Sequence, residues 1–123
     1  MSETHDVIIV GAGPAGLAAG IYTGRSRIET LILEKGIPGG QILLTDIIEN
    51  YPGFPEGVSP QILMDKIRAQ AERFGARIAT DDVKALRRAE DAWEVLGTKE
   101  TYSAKAVIVA TGSTHRKLGV EGE

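Results

Sequence analysis

The chain has 123 residues, a common length for one domain, and its 14 Lys and Arg against 17 Asp and Glu give a net charge of −3. It contains no run of basic residues, so nucleic acids and anionic membranes are not expected partners. It also has no cysteine, which excludes a disulfide framework, a thiolate metal site and thiol redox chemistry on its own residues. This composition agrees with a cytoplasmic protein, and no metal site is predicted.

The uncharged stretch of residues 7–24 approaches the length of a membrane span. However, it contains five glycines and Pro14, and residues 2–6 before it are acidic rather than basic. These features argue against a lipid-facing helix and against a secretory signal peptide. We therefore predict neither.

The first elements in chain order form a strand, a helix and a second strand. Residues 6–10 (DVIIV) are a β-branched run ending at a glycine, which is typical of a buried parallel strand. Residues 14–25 form an Ala- and Gly-rich helix with Pro14 in its first turn, and residues 30–34 (TLILE) form the second buried strand. Together they predict a βαβ unit with a right-handed crossover.

Residues 36–58 have no strong period and hold five glycines and three prolines, so we predict a long ordered loop with a short helix near residues 42–46. Apolar side chains argue that this loop is ordered; they are Ile42, Leu43, Leu44, Ile47, Ile48, Tyr51 and Phe54. Ser59 and Pro60 then predict a helix cap followed by proline at the first helical position, and Gly75 predicts the helix end.

The remaining elements are short. Predicted strands cover residues 77–79, 83–88, 93–96 and 101–103, the later ones forming a small antiparallel meander, and 106–111 (AVIVAT). The last of these is predicted to be buried and to end at Gly112. The predicted fold is α/β and Rossmann-like: a mostly parallel sheet flanked by helices, with a small antiparallel meander.

The turn after the first strand has the pattern G-x-G-x-x-G, formed by Gly11, Gly13 and Gly16. In this pattern the first glycine permits the tight turn, the second lets the backbone approach a pyrophosphate, and the third lets the helix pack against the strand. The amides and the positive dipole end of the helix would face the phosphates. The motif has its required context, between a strand and a helix, so it predicts an adenine dinucleotide site.

Glu34 ends the second strand about twenty residues after the motif, where an acidic side chain accepts hydrogen bonds from the adenosine ribose. The same carboxylate repels a 2′-phosphate, which argues against NADP at this position. From the residues alone, FAD and NAD both remain possible ligands.

Further motifs resemble one family. Gly39-Gly40-Gln41, Glu49-Asn50-Tyr51-Pro52-Gly53-Phe54 and Ala110-Thr111-Gly112 are similar in order and spacing to the FAD-binding half of bacterial low-molecular-weight thioredoxin reductases, within the pyridine nucleotide-disulfide oxidoreductase family. The similarity covers residues 6–122, and the GGQ and ENYPGF stretches are its most specific part.

The resemblance implies cofactor-binding roles for sixteen positions. Residues implied at the FAD pyrophosphate are Gly11, Gly13, Pro14, Ala15 and Gly16, and those implied at the adenosine ribose are Glu34 and Lys35. Gly39, Gly40 and Gln41 would line the pyrophosphate and the ribityl chain, Thr45 and Asn50 would reach the flavin or ribityl hydroxyls, the backbone of Val83 would contact adenine, and Ala110, Thr111 and Gly112 would pass close to the cofactor. The residues alone leave open whether Gln41, Thr45 and Asn50 are instead satisfied by the loop backbone, and whether Gly112 is a plain turn.

In this family the FAD domain is interrupted by an NADPH domain that carries a redox C-x-x-C, inserted near positions resembling residues 120–123. The chain has no cysteine and no second G-x-G-x-x-G after residue 16. We therefore expect residues 1–123 to be a single, incomplete FAD-binding domain, either a piece of a longer protein or a naturally short relative, with weaker FAD binding and an exposed sheet edge.

The resemblance implies a parent function of NADPH-dependent disulfide reduction through FAD, with electrons passing to thioredoxin or a similar small redox protein, in a homodimer. This chain would bind and orient FAD, contribute no catalytic side chain and be inactive alone. Three alternatives remain: part of a ferredoxin–NADP reductase of similar architecture, an FAD-binding module without turnover, and another NAD-binding Rossmann protein.

Other conspicuous residues favour ordinary structural roles. Trp93 is predicted to cover the meander. His5 and His115 are predicted at the surface, and Arg116 and Lys117 as a solvated pair.

Overall fold

The computed structural model describes residues 4–36 and 46–113. The strands in this part of the chain are β1 (Thr4–Val10), β2 (Thr30–Glu34), β3 (Arg77–Thr80), β4 (Val83–Arg88), β5 (Trp93–Gly97) and β6 (Thr101–Val109), and the helices are α1 (Pro14–Arg25) and α2 (Pro60–Arg73). No helix within these ranges is long and apolar enough to cross a membrane.

The strands form one six-stranded sheet in the order β3-β2-β1-β6-β5-β4. β3, β2, β1 and β6 are parallel, and Ile9 of β1 lies between Ile32 of β2 and Ile108 of β6. β6, β5 and β4 are antiparallel and form the meander. β1 and β2 each have a parallel partner on both sides, so they are the two inner strands of the parallel part of the sheet.

Successive residues of β1 and β2 point to opposite faces of the sheet, and each face has its own core. On one face, Val7, Ile9 and Ile32 pack in a cluster with Leu17 of α1 and with α2. The α2 members of this cluster are Leu63, Met64, Ile67 and Ala71. α1 and α2 therefore lie on the same face of the sheet.

The opposite face of the parallel strands is covered by the meander. Ile8 and Leu33 form a second cluster with Val95, Tyr102 and Ala104 of the meander. The predicted fold class is confirmed, with one refinement: within the described residues, the two faces are covered by helices and by the meander respectively.

α2 begins and ends as the sequence predicts. The Ser59 hydroxyl accepts a hydrogen bond from the amide of Ile62 at 3.1 Å, and Pro60 occupies the first helical turn. After the last helical residue, Gly75 has a positive φ of 97°, a conformation that terminates helices and that few other residues adopt. Local sequence signals alone account for both ends.

β6 differs from the prediction of two separate strands at 101–103 and 106–111. It is one continuous strand from Thr101 to Val109, because Ala104 pairs with Trp93 of β5 on one side and with His5 of β1 on the other. Its last part is also less buried than predicted, since Val109 is 62% exposed. Ala110 and Thr111 lie beyond the strand end.

The prediction that His5 lies at the surface is wrong. β1 begins at Thr4, two residues earlier than predicted, and this extension places His5 inside the strand. The His5 side chain is only 12% exposed, and its Nδ1 lies 2.8 Å from a carboxylate oxygen of Glu29. Trp93 lies in the meander as predicted, half-buried, with the Arg88 guanidinium 5.3 Å from its ring centroid.

Asp81 links the end of β3 to the meander. Its carboxylate is 2% exposed and accepts hydrogen bonds from the Lys99 amide (3.0 Å), the Glu100 amide (3.2 Å) and the Tyr102 hydroxyl (2.7 Å). Burial of the carboxylate would raise the pKa of Asp81, but these donors favour the charged form and hold the pKa below its usual value. The buried charge is therefore compensated by hydrogen bonds.

We expect Ser59→Ala to lower the free energy of unfolding by about 1 kcal/mol, because the amide of Ile62 loses its capping acceptor. Ser59→Asp should retain the stability, since aspartate caps helices equally well. Urea unfolding monitored by circular dichroism measures both variants. An equal loss of unfolding free energy in Ser59→Ala and Ser59→Asp would contradict the capping role of Ser59.

We expect Asp81→Asn to lower the free energy of unfolding at pH 7 by roughly 2–3 kcal/mol, because one donor would then face an amide NH₂ group. The folded-state pKa of Asp81 is depressed. Its carboxylate therefore stabilises the fold fully above about pH 3.9, the ordinary aspartate pKa, and the contribution is lost as pH falls through the folded-state pKa.

The difference in stability between wild type and Asp81→Asn should therefore narrow as pH falls below about 4, which thermal unfolding at several pH values measures. Asp91→Asn, in an exposed turn, is the matched control and should leave stability at pH 7 unchanged. A difference that stays constant down to pH 3 would show that the charge of Asp81 is not what stabilises the fold.

Candidate nucleotide-binding site

The candidate site lies at the edge of the sheet where the parallel strands β1 and β2 end. In α/β sheets of this kind, ligands bind outside the carboxyl ends of the strands. Gly11 follows β1 directly, with a positive φ of 113°. Its amide donates to the Leu33 carbonyl at 2.8 Å, and a Cβ atom on Gly11 would overlap the carbonyl of Ala110. The turn is therefore fixed between the end of β2 and the segment after β6, and only glycine fits.

α1 begins at this turn without a capping side chain. Gly13 is the N-cap residue and makes no side-chain cap, Pro14 follows, and the first turn of the helix has no acidic residue. The first amides of a helix lack partners within the helix, so those of Ala15 and Gly16 can serve a ligand. α2, in contrast, satisfies an amide with Ser59.

Gly13 itself is not required by backbone strain. Its φ of −79° and ψ of −169° are extended values that any residue can adopt. A glycine at an N-cap position also stabilises a helix less than Ser, Asp or Asn would. The backbone conformation and helix capping therefore do not explain why position 13 is a glycine.

Glu34 faces the same turn. One oxygen of its half-buried carboxylate accepts from the Ala12 amide at 2.8 Å and the other accepts from the Gly36 amide at 2.9 Å. Each carboxylate oxygen can accept a second hydrogen bond. The geometry is compatible with ribose hydroxyls as further donors.

A cleft of about 240 Å³ lies beside Glu34 at the carboxyl edge of the sheet. Its lining residues are Val10, Gly11, Leu33, Glu34, Lys35, Asp81, Asp82, Val83 and Thr111. The lining combines apolar side chains with polar and charged groups, as small-molecule sites do. The volume is below the usual range of roughly 300–1,000 Å³, so the cleft can hold only part of a dinucleotide.

The structure thus brings together five of the residues predicted from the sequence as lining of one cleft, namely Gly11, Glu34, Lys35, Val83 and Thr111. Gly13, Pro14, Ala15 and Gly16 form the adjoining start of α1. Ala110 contacts the Gly11 turn, and Gly112 follows with a positive φ of 74° in an exposed position.

Asn50 is not among the residues that line this cleft. It lies in an exposed turn and lines a separate shallow groove formed by residues 49–55. Gly39, Gly40, Gln41 and Thr45 lie outside the described residues, as do His115, Arg116 and Lys117. No group of potential metal ligands occurs in residues 4–36 and 46–113.

Asp81 and Asp82, which both line the cleft, were not predicted as site residues from the sequence. An acidic pair after a short strand resembles a solvated turn, and Asp82 does form an exposed ion pair with Lys84 at 2.8 Å. The position of the pair is the signal that could have identified it, because it directly follows β3 at the same edge of the sheet as Glu34. In the structure the Asp81 amide donates to the Glu34 carbonyl at 3.0 Å.

Comparison with known proteins gives matches along nearly the whole chain. The family model described as pyridine nucleotide-disulphide oxidoreductase matches residues 5–123. Thioredoxin reductase of Listeria monocytogenes is 47% identical over 121 residues, covering 98% of this chain and 38% of that protein. Thioredoxin reductase of Bacillus subtilis is 45% identical over 125 residues, covering 100% of this chain and 39% of that protein.

Among solved structures, the thioredoxin reductase of Lactococcus lactis in its FR conformation is similar with a TM-score of 0.92 and 40% identity, covering 98% of this chain and 39% of that one. A ferredoxin-flavin thioredoxin reductase of Clostridium acetobutylicum is similar with a TM-score of 0.82 and 28% identity, covering 95% and 40%. The chain spans about two fifths of the length of these relatives.

The resemblance to bacterial thioredoxin reductases that residues 39–41, 49–54 and 110–112 carry is thereby confirmed. The expected Rossmann-type architecture is confirmed by the similar solved structures. With a family model matched from residue 5 to residue 123, this chain belongs to the pyridine nucleotide-disulphide oxidoreductase family.

Proposed function

We propose that this chain is the FAD-binding part of a thioredoxin-reductase-like flavoprotein and that its own task is to bind and orient the cofactor. The observation that carries the proposal is the start of α1, which lacks a capping side chain and directly adjoins the cleft beside Glu34. An uncapped helix start next to a carboxylate-lined cleft suits a ligand with a phosphate and a sugar.

The adenosine diphosphate half of FAD would extend from the cleft to the helix. The pyrophosphate would accept hydrogen bonds from the amides of Ala15 and Gly16, beside Gly13 and Pro14. The ribose hydroxyls would donate to the Glu34 carboxylate, with Lys35 beside them, and adenine would lie against the backbone of Val83. The small volume of the cleft supports this division, because it suits the adenosine end alone.

The remainder of the cofactor would lie along the other residues that the family resemblance implies. Gly39, Gly40 and Gln41 would follow the pyrophosphate and ribityl chain, and Thr45 and Asn50 would reach the flavin end. Ala110, Thr111 and Gly112 would pass close to the cofactor, a role supported by the contact of the Ala110 carbonyl with the Gly11 turn. When bound, FAD would supply the electron transfer, while these residues bind it and exclude water.

For the whole protein we propose NADPH-dependent reduction of a disulfide in thioredoxin or a similar small redox protein, in a cytoplasmic homodimer. The names of the Listeria and Bacillus relatives support the acceptor. An alternative electron donor is supported by the similarity to the Clostridium protein, whose name includes ferredoxin. A module that binds FAD without turnover on its own is the second candidate for the chain as given, because the chain lacks cysteine.

Titration of the purified chain with FAD, followed by flavin fluorescence, tests the proposal. We expect saturable binding of one FAD, competed by ADP and not by FMN, because ADP carries the adenosine diphosphate half that the cleft and α1 would hold. Binding of NAD without any binding of FAD would contradict the proposal and would favour another Rossmann protein.

We expect Gly13→Ser to stabilise the fold by up to about 1 kcal/mol and to weaken FAD binding at least about tenfold. Serine is a preferred N-cap residue and fits the extended backbone of position 13, so its hydroxyl would satisfy an amide of α1 in place of the phosphate. Thermal unfolding and FAD titration measure the two effects.

Ala18→Ser, on an exposed position of the same helix, is the control and should leave FAD binding unchanged. If Gly13→Ser bound FAD as tightly as wild type, the start of α1 would not be the phosphate site.

We expect Glu34→Gln to weaken binding of ADP about tenfold, because an amide in place of the carboxylate offers fewer acceptors to the ribose. It should also reduce the preference for ADP over 2′,5′-ADP, since the repulsion of a 2′-phosphate is removed. Calorimetric titration with both nucleotides gives the ratio. Glu56→Gln, exposed in the loop before α2, is the control, and an unchanged ratio in Glu34→Gln would exclude Glu34 from ribose recognition.

A further inference from the structure

Asp81 contributes to the wall of the cleft, and its carboxylate accepts hydrogen bonds from the meander. The donors there are the Lys99 and Glu100 amides and the Tyr102 hydroxyl, at the turn and strand that follow β5, and the neighbouring Asp82 amide is a further donor. The backbone amide of Asp81 donates instead to the Glu34 carbonyl, at 3.0 Å. This one residue therefore joins the end of β2 to the turn between β5 and β6.

The turn between β5 and β6 also holds the neighbouring residue of the wall. The amide and the hydroxyl of Thr98 both donate to the Asp82 carbonyl, at 3.0 Å and 3.2 Å. Residues 81–83 are thus held by hydrogen bonds to the turn between β5 and β6 and by the hydrogen bond from the Asp81 amide to Glu34. The position of this wall relative to Glu34 is therefore set by the turn together with the bond to Glu34.

Gly97 shows how closely the turn is fitted to Asp81. A Cβ atom at position 97 would overlap the Asp81 carboxylate, so no other residue fits while Asp81 keeps its place. The Tyr102 hydroxyl donates to the same carboxylate at 2.7 Å. We use the name Asp81 clasp for Asp81, Gly97, Lys99, Glu100 and Tyr102.

We propose that Asp81 is a positioning residue for the adenosine end of the cofactor, acting through the Asp81 clasp to hold residues 81–83 at the correct distance from Glu34. The inference rests on the proposed binding of FAD at this cleft. Asp82 and Val83 supply one wall of the cleft and Glu34 the other, so the width between them decides whether the ribose and adenine are held together.

The expected effect follows from the chemistry of the carboxylate. In Asp81→Asn one oxygen becomes an NH₂ group, which repels an N–H or O–H donor at that position, so the wall must shift. The affinity for any ligand carrying adenosine diphosphate should fall about tenfold. FAD and ADP should lose affinity by the same factor, because the change is confined to the end that they share.

The test compares Asp81→Asn with a variant destabilised elsewhere, Met64→Ala in α2, which belongs to the core on the opposite face of the sheet. Binding of FAD and of ADP is measured at a temperature at which unfolding curves show both variants to be folded. We expect about tenfold weaker binding of both ligands in Asp81→Asn and unchanged binding in Met64→Ala. Wild-type affinity in Asp81→Asn would reduce Asp81 to a purely structural residue and overturn the proposal.

Tyr102→Phe removes the one hydroxyl donor and keeps the backbone amide donors, so it replaces Asp81→Asn in the test if Asp81→Asn does not fold. We expect about threefold weaker binding of both ligands in this variant, and unchanged binding would overturn the proposal. Weaker binding of FAD with unchanged binding of ADP, in either variant, would also overturn it.

Binding measurements distinguish an error in the proposed function from an error in the role of Asp81. If wild type binds neither FAD nor ADP, the proposed function is wrong and the inference falls with it. If wild type binds both and Glu34→Gln weakens the binding while Asp81→Asn does not, the function stands and the role of Asp81 alone is wrong.

Discussion

The hydrogen bond from the Ala12 amide to the Glu34 carboxylate, 2.8 Å long, joins the two strands on which the candidate site depends. Ala12 belongs to the turn that leads from β1 into α1, and Glu34 is the last residue of β2. This bond fixes the distance between the start of α1, where a phosphate can bind, and Glu34, where a sugar can bind. Neither strand could set that distance alone.

The two described helices differ in how their first amides are satisfied. α2 uses the Ser59 hydroxyl, which completes the helix with the chain's own atoms. α1 begins at Gly13 with no side-chain cap and no acidic residue in its first turn. A glycine N-cap in place of Ser, Asp or Asn costs about a few tenths of a kcal/mol of helix stability. A bound phosphate can offset this loss, because a ligand that binds only the folded state stabilises that state.

The elements that the sequence predicts well are those determined by neighbouring residues. The βαβ unit and the cap of α2 depend on runs and turns of a few residues, so the pattern alone indicates them. The continuity of β6 depends instead on pairing with β1 and β5, whose residues lie far away in the chain. The charged Lys105 interrupts the apolar pattern in the middle of β6, so the sequence suggests a break in the strand. The pairing with β1 and β5 shows that the strand continues.

The same distinction applies to the candidate site. The glycines of the first turn and Glu34 follow a known local spacing, so they could be predicted from the sequence. The role of Asp81 could not, because its partners lie 18 to 21 residues further along the chain and include two backbone amides that carry no mark in the sequence. Hydrogen bonds to a backbone do not depend on which side chain the donor carries. A composition pattern cannot reveal them.

We propose that the start of α1 and the cleft beside Glu34 form one adenine nucleotide site. The decisive experiment is nuclear magnetic resonance of the ¹⁵N-labelled chain during titration with ADP. We expect saturable chemical-shift changes that are largest at the amides of Gly13, Ala15 and Gly16 and of Asp82 and Val83. Shifts confined to another surface, such as the groove between α1 and α2 lined by Tyr22 and Phe74, would contradict it.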